Sequence, residues 1–244
     1  MMLLLSGEGP SDLGTIMGTV SICEGELFKR GPMSIIVDQM VEQRLGYSLL
    51  NSNAVCFVNE HEIGLRSKQV SIPRSPRLPG QKVKKDTIYF RRNAQALGTL
   101  ARDLEVQREC PIIAVLFRDS DGTNTSTRSL WRDKFDSIVG GFEDAEFASG
   151  VPMMPKPKSE AWLLCALKQN PYTHCDALEN SSGNDASPNS LKKQLAAVVN
   201  GDVTSEKLSD WVGEGHINHV QIDMPSFNAF LHELVRAMNN ALAR

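Results

Sequence analysis

The 244-residue chain has no long hydrophobic run. Runs such as Met1 to Leu5 and Ile112 to Phe117 reach only five and six residues, and none exceeds seven, against the roughly 20 needed to cross a bilayer as a helix. A helical membrane span is thereby excluded. The opening MMLLL has no basic residue before it and no extended apolar stretch, so it reads as a first strand and not as a secretory leader, and the expected location is the cytoplasm. Cysteine is sparse and has no metal-type or redox-type spacing. Cys23, Cys56, Cys110, Cys165 and Cys175 are odd in number and contain no C-x-x-C pair, which predicts reduced, mostly buried thiols and no disulfide framework. Zinc is poorly supported for the same reason: His174, Cys175, His216 and His219 lack paired cysteine spacing, and the last two read as surface or capping histidines.

What is present is enough apolar residue, 41%, for one continuous core in a single domain over residues 1–244. The formal charge of −3 hides an uneven distribution. Residues 66–92 hold nine basic side chains and one acid, Asp86, a net +8 that leaves −11 for the rest of the chain. Such a concentration suits a polyanion, because each neutralised phosphate releases condensed counterions. Lys82, Lys84, Lys85, Arg91 and Arg92 are the expected contacts to a nucleic-acid backbone, with little sequence preference, since phosphate carries no base information.

Apolar patterning predicts strands at Met2–Leu5, at 54–58 and at 111–117, where the unbroken run PIIAVLF implies burial on both faces, as in a parallel sheet. A shorter strand is expected around 151–154. Helices are expected from Pro32, over about 90–106, over about 126–145, from a capping Ser159 through EAWLLCALKQ, and in two or three segments that close the chain, the last over about 226–243. The stretch between the first strand and residue 30 is poorly periodic. Residues 73–80, rich in proline and glycine, and 176–190, rich in Asn, Ser and Gly, read as loops, and WVGEGHINHV reads the same way. The six methionines Met33, Met40, Met153, Met154, Met224 and Met238 read as core filler. Strands alternating with helices predict one α/β domain, a mostly parallel sheet flanked by helices with an additional helical portion over about 159–244.

In such a sheet ligands sit beyond the carboxyl ends of the strands, and acidic residues occupy those places. Glu8 and Asp12 follow the first strand, Asp119 and Asp121 follow the 111–117 strand, and Glu160 begins an apolar helix. Carboxylates packed together cannot all stay ionised without a cation. A divalent ion with hard oxygen ligands, Mg²⁺ or Mn²⁺, would answer that, with Glu8 and Asp12 as one half of a cradle and Asp119 and Asp121 as the other.

The Glu-Gly turn in GEGPSD with a second acid four residues on, followed later by a hydrophobic strand ending in D-x-D, resembles the Toprim fold of topoisomerases, primases and the overcoming-lysogenization-defect nucleases. GEGPSD, KRGPMSIIVDQM and PKPKSEAWLL resemble, more narrowly, the small and mostly uncharacterised Toprim-like proteins that bacteria encode beside ATPases in antiviral defence clusters. The resemblance implies a Rossmannoid sheet and a Mg²⁺- or Mn²⁺-dependent nuclease acting on nucleic acid, DNA foremost, together with an ATPase partner. Self-association is left open. It implies metal ligation by Glu8, Asp12, Asp119, Asp121 and Glu160, although Asp12 stands where the family more often has glutamate, and Ser159 directly before Glu160 departs from the nuclease branch. It also implies a lysine that offsets charge on the phosphate. Lys158 is chosen to act with Glu8, Asp119 and Asp121 in catalysis, and Lys156, Lys192 and Lys193 are its alternatives.

Two other readings use the same residues. VLFRDSDGTNT is similar to the D-x-D-G-T signature of haloacid-dehalogenase-type phosphatases, with Asp119 as nucleophile and Asp121 as proton carrier; that reading leaves the Glu8 turn unexplained. A non-catalytic nucleic-acid-binding or ATPase-docking subunit is the other.

Overall fold

The computed structural model describes residues 1–9, 11–71, 85–120, 128–199 and 201–243. Five strands form one sheet. They are β1 (Met2–Gly7), β3 (Ile22–Glu24), β5 (Val55–Val58), β6 (Ile112–Phe117) and β7 (Gly150–Met153), in the order β3-β5-β1-β6-β7. β5, β1, β6 and β7 run parallel, and β3 lies antiparallel on the outer edge of β5. Leu5 at the centre pairs with Phe57 on one side and Val115 on the other. The chain is therefore an α/β protein built on a mostly parallel sheet, as the alternation of apolar runs and helices predicts.

Strand residues point alternately to opposite faces, and both faces are buried. Leu3, Leu5, Val55, Phe57, Ile113, Val115 and Phe117 pack with α1 (Pro32–Leu45), α5 (Ser159–Leu167) and α8 (Pro225–Leu242). Met2, Leu4, Cys56, Val58, Ile112, Ala114 and Leu116 pack with α3 (Lys85–Arg108) and α4 (Arg128–Asp144) on the other side. The six methionines expected in the core are all buried. The outer edge of β7 faces α8, where Asn240 donates to Ala148 O at 2.9 Å and Arg236 to Gly150 O at 3.4 Å.

Several expectations need correction. The aperiodic stretch before residue 30 holds β2 (Gly14–Ile16) and β4 (Phe28–Arg30), which form an antiparallel ribbon, as well as β3. Three-residue strands are too short to show a period of two. α2 (Glu60–Ser67) was not expected from the sequence; it is mostly polar and is started by Asn59, whose side chain accepts from Glu62 N at 2.8 Å. The chain closes with α6 (Leu191–Val198), α7 (Ser205–Gly213) and α8, so the first part of WVGEGHINHV is helix and not loop.

Cys165 and Cys175 form a disulfide, contrary to the expectation of five reduced thiols. Cys175 opens a short 3-10 turn, Cys175–Asn180, that folds back on the end of α5. Cys23, Cys56 and Cys110 are free. Cys175 is thus removed from any zinc grouping, and His219 is buried between Gln39 and Gln43 instead of lying on the surface. No helix among the described residues is long and apolar enough to cross a membrane.

Candidate functional site

The parallel strands β1 and β6 end side by side, Gly7 opposite Phe117. A Cβ on Gly7 would stand 3.0 Å from the Phe117 Cβ. The missing side chain therefore lets the turn carrying Glu8 lie against the end of β6. There Glu8 Oε1 accepts a hydrogen bond from Asp119 N at 2.7 Å. This joins two acids 111 positions apart in the chain through a charge-assisted bond.

Asp12 is fixed from its backbone. Its carbonyl accepts from Met33 N at 3.0 Å, in the first turn of α1, and Gly31 N donates to Leu13 O at 3.1 Å. A Cβ on Gly31 would meet Asp12 O at 2.3 Å, so only glycine lets the 12–14 segment approach so closely. The Asp12 carboxylate then reaches α5. Ser159 Oγ donates to Asp12 Oδ1 in a short bond, Ser11 Oγ donates to Asp12 Oδ2 at 3.2 Å, and Ser159 N donates to Asp119 Oδ1 at 3.2 Å. Ser120 N and Oγ both donate to Pro157 O, at 3.0 and 3.1 Å.

Ser159 is the junction of this network. The sequence suggests a helix cap, yet Ser159 is the first residue of α5, Lys158 holds the cap position, and the hydroxyl serves Asp12. Its role had no signal in sequence, because the contact spans 147 positions. Glu160 follows Ser159 on the same first turn.

Burial holds the Asp12 carboxyl above its ordinary range, partly offset by the bonds from Ser159 and Ser11 and by the charges of Lys158 and Lys192. Burial likewise raises Glu160. Its own backbone N–H lowers it, the Asp12 and Asp185 charges raise it, and Lys158 lowers it. Two acids that repel each other in a partly dehydrated spot favour protonation or a cation. Lys158 pairs with Asp185 at 3.0 Å beside them.

Asp12 and Asp119 thus meet Ser159 at the start of α5, Glu160 follows on the same turn and Glu8 is joined to the set through the backbone of Asp119, while Asp121 lies outside the described residues. All the donors are hard oxygens, which suits Mg²⁺ or Mn²⁺. Oxygens of Glu8, Asp12 and Asp119 accept protein hydrogen bonds, and among the described residues no group of three or more His, Cys, Asp or Glu is arranged to hold a metal ion. A cleft of about 260 Å³ opens next to Glu8, lined by Gly7, Gly9, Gly14, Thr15, Asn59 and Glu60.

The basic residues divide. Lys82 and Lys84 lie outside the described residues, as does the side chain of Lys85. Arg91 is held by Asp144 through two bonds, Nε to Oδ2 at 2.6 Å and Nη2 to Oδ1 at 2.8 Å, which tie α3 to α4. Its planar fork is committed to a carboxylate, which replaces the phosphate contact expected of it. Arg92 is exposed and lines a second cavity between α2 and α3.

No model of a known protein family, no curated protein and no solved structure matches this chain.

Proposed function

We propose that this chain is a metal-dependent hydrolase of nucleic-acid phosphodiester bonds, of the Toprim-like kind that its strand-end motifs resemble. The observation that supports the reading is the meeting of Asp12 and Asp119 on Ser159, beside Glu160 in the first turn of α5 and with Glu8 bonded to the backbone of Asp119, from three segments far apart in the chain. Structural capping gives no reason for two half-buried acids with raised pKa values to influence each other at one helix start.

In this reading Glu8, Asp12, Asp119 and Glu160, with Asp121, hold Mg²⁺ or Mn²⁺. The ion, when bound, lowers the pKa of a water molecule and offsets charge on the phosphoryl group. Ser159 keeps the Asp12 and Asp119 carboxylates aligned, Glu8 fixes the backbone at Asp119, and Lys158 neutralises charge that grows on the phosphate. The oxygen-rich site and the basic segment over 66–92 serve one substrate, a polyanion brought to a cation. DNA as the first substrate, an ATPase partner, a cytoplasmic setting and a role in antiviral defence belong to the same proposal and rest on the family resemblance.

The test is incubation of wild type and Asp119→Ala with plasmid DNA, linear DNA and structured RNA under Mg²⁺ or Mn²⁺. Cleavage by wild type that falls at least about 100-fold in the variant is the expected result. Cleavage unchanged by the substitution overturns the site. Release of phosphate from an aryl phosphate, lost in the same variant, would favour the phosphatase reading.

A further inference from the structure

The segment 181–189 joins the Cys175–Asn180 turn to α6 and contains no large apolar side chain, so it has no hydrophobic anchor of its own. Its hydrogen bonds are local. Asn184 N donates to Ser182 Oγ at 3.2 Å, Ala186 N to Asn184 Oδ1 at 3.0 Å and Ser187 N to Asn184 O at 3.0 Å, while Lys193 Nζ and Gln194 Nε2 on α6 donate to Ser187 O and Asn189 O, each at 2.9 Å. Among the described residues, one polar contact ties the segment to anything beyond the elements that flank it in the chain: the ion pair of Asp185 with Lys158, at 3.0 Å. A segment held in this way opens at low cost.

The two partners are unequally placed. The Lys158 side chain is 16% exposed and that of Asp185 54%, so the carboxylate is the member able to leave. Lys158 directly precedes α5, and its charge acts on both Asp12 and Glu160. The Asp185 charge acts on Glu160 in the opposite sense. Asp185 thus brings a further carboxylate to a place already rich in acids, and there it occupies the ammonium group that the hydrolase reading assigns to phosphate. Carboxylate and phosphate oxygens are both anionic acceptors for an ammonium group, so the two compete.

We propose that 181–189 is a strap whose Asp185 occupies Lys158 in the resting chain and is displaced from it by a phosphate group of the substrate. The proposal rests on the hydrolase reading for the site and for the class of ligand. Only an anionic ligand that takes the place of the Asp185 carboxylate on Lys158 opens the strap; a neutral nucleoside does not. Ion pairs with an exposed member contribute little, and a displaceable contact requires that, since a strong one would shut the substrate out. The strap lowers the apparent affinity for a polyanion by about two- to fivefold.

Binding of a short fluorescein-labelled oligothymidylate to the full chain is followed by fluorescence anisotropy in EDTA, so that cleavage, which tests the hydrolase reading, takes no part in the outcome. The expected result is that Asp185→Asn, at an exposed position, binds the probe about two- to fivefold more tightly than wild type, and that the same substitution gives no gain in a Lys158→Ala background. A gain of equal size in that background would reflect only the removal of a negative charge from the path of a polyanion, and overturns the proposal. Affinity unchanged or weakened by Asp185→Asn, or no binding by either protein, overturns it as well. Hydrogen–deuterium exchange gives a second readout. Amides of 181–189 should exchange faster in Asp185→Asn than in wild type, and faster in wild type saturated with the probe than in wild type alone or with thymidine. Exchange that is the same in all of these states overturns the proposal even where Lys158→Ala does not fold.

Discussion

Ser159 shows how one residue can hold two acids. Its Oγ serves Asp12 and its backbone N–H serves Asp119, and the bond to Asp12 is one of the influences that lower that carboxyl. Removing it in Ser159→Ala should push Asp12 further up. The acid limb of the rate–pH profile for metal-dependent cleavage should then move to higher pH, with Ser159→Thr restoring it; a profile that does not move would show that the hydroxyl only packs. Asp12 provides a second check through stability. Its pKa in the folded chain lies above the unfolded value because of burial, so the folded state binds the proton more tightly than the unfolded one. The advantage is present below the unfolded pKa, about 4, and is lost as pH rises through the raised value. Asp12→Asn should therefore melt at a higher temperature than wild type at pH 7 in EDTA, with the difference closing as pH falls below about 4. Added Mn²⁺ should raise the melting temperature of wild type more than that of the variant.

At the scale of elements, the acids owe their meeting to close backbone approaches. Gly31→Ala would place a methyl 2.3 Å from Asp12 O, a clash with main chain that cannot be relieved by a rotamer change. Overpacking of this kind costs about 1–3 kcal/mol, to be read as a lower denaturant midpoint, with loss of metal-dependent cleavage even where the fold survives. β1, β5 and β6 were legible because both of their faces are buried and the sequence shows unbroken apolar runs. α5 was legible from its apolar content. The β2–β4 ribbon was not, since three residues cannot display alternation, and α2 was missed because Ile63 is its one large buried apolar side chain. The site was half legible. Acids at strand ends mark Glu8, Asp12 and Asp119, whereas the Ser159 junction and the commitment of Arg91 to Asp144 depend on tertiary contacts that have no local signature.

Over the whole molecule, the two faces of the sheet carry different features. Asp12 and Asp119 meet on the α5 side, and the cavity walled by Tyr89 lies on the α3 side. The disulfide between Cys165 and Cys175 closes a short loop at the end of α5; alkylation of the unfolded, unreduced chain should label Cys23, Cys56 and Cys110 and spare those two, as read by mass spectrometry. The contact of α8 with the outer edge of β7 has a different reach. Asn240 and Arg236 engage carbonyl oxygens that a naked border strand would offer to a neighbour. A chain clipped before α8 would present that border as a template for a sister molecule, and light scattering of the clipped form should grow with concentration while the intact chain stays dispersed. The last helix, which also packs on α5 through Ser226, Phe227 and Phe230 against Trp162, would thus act as a guard against polymerisation.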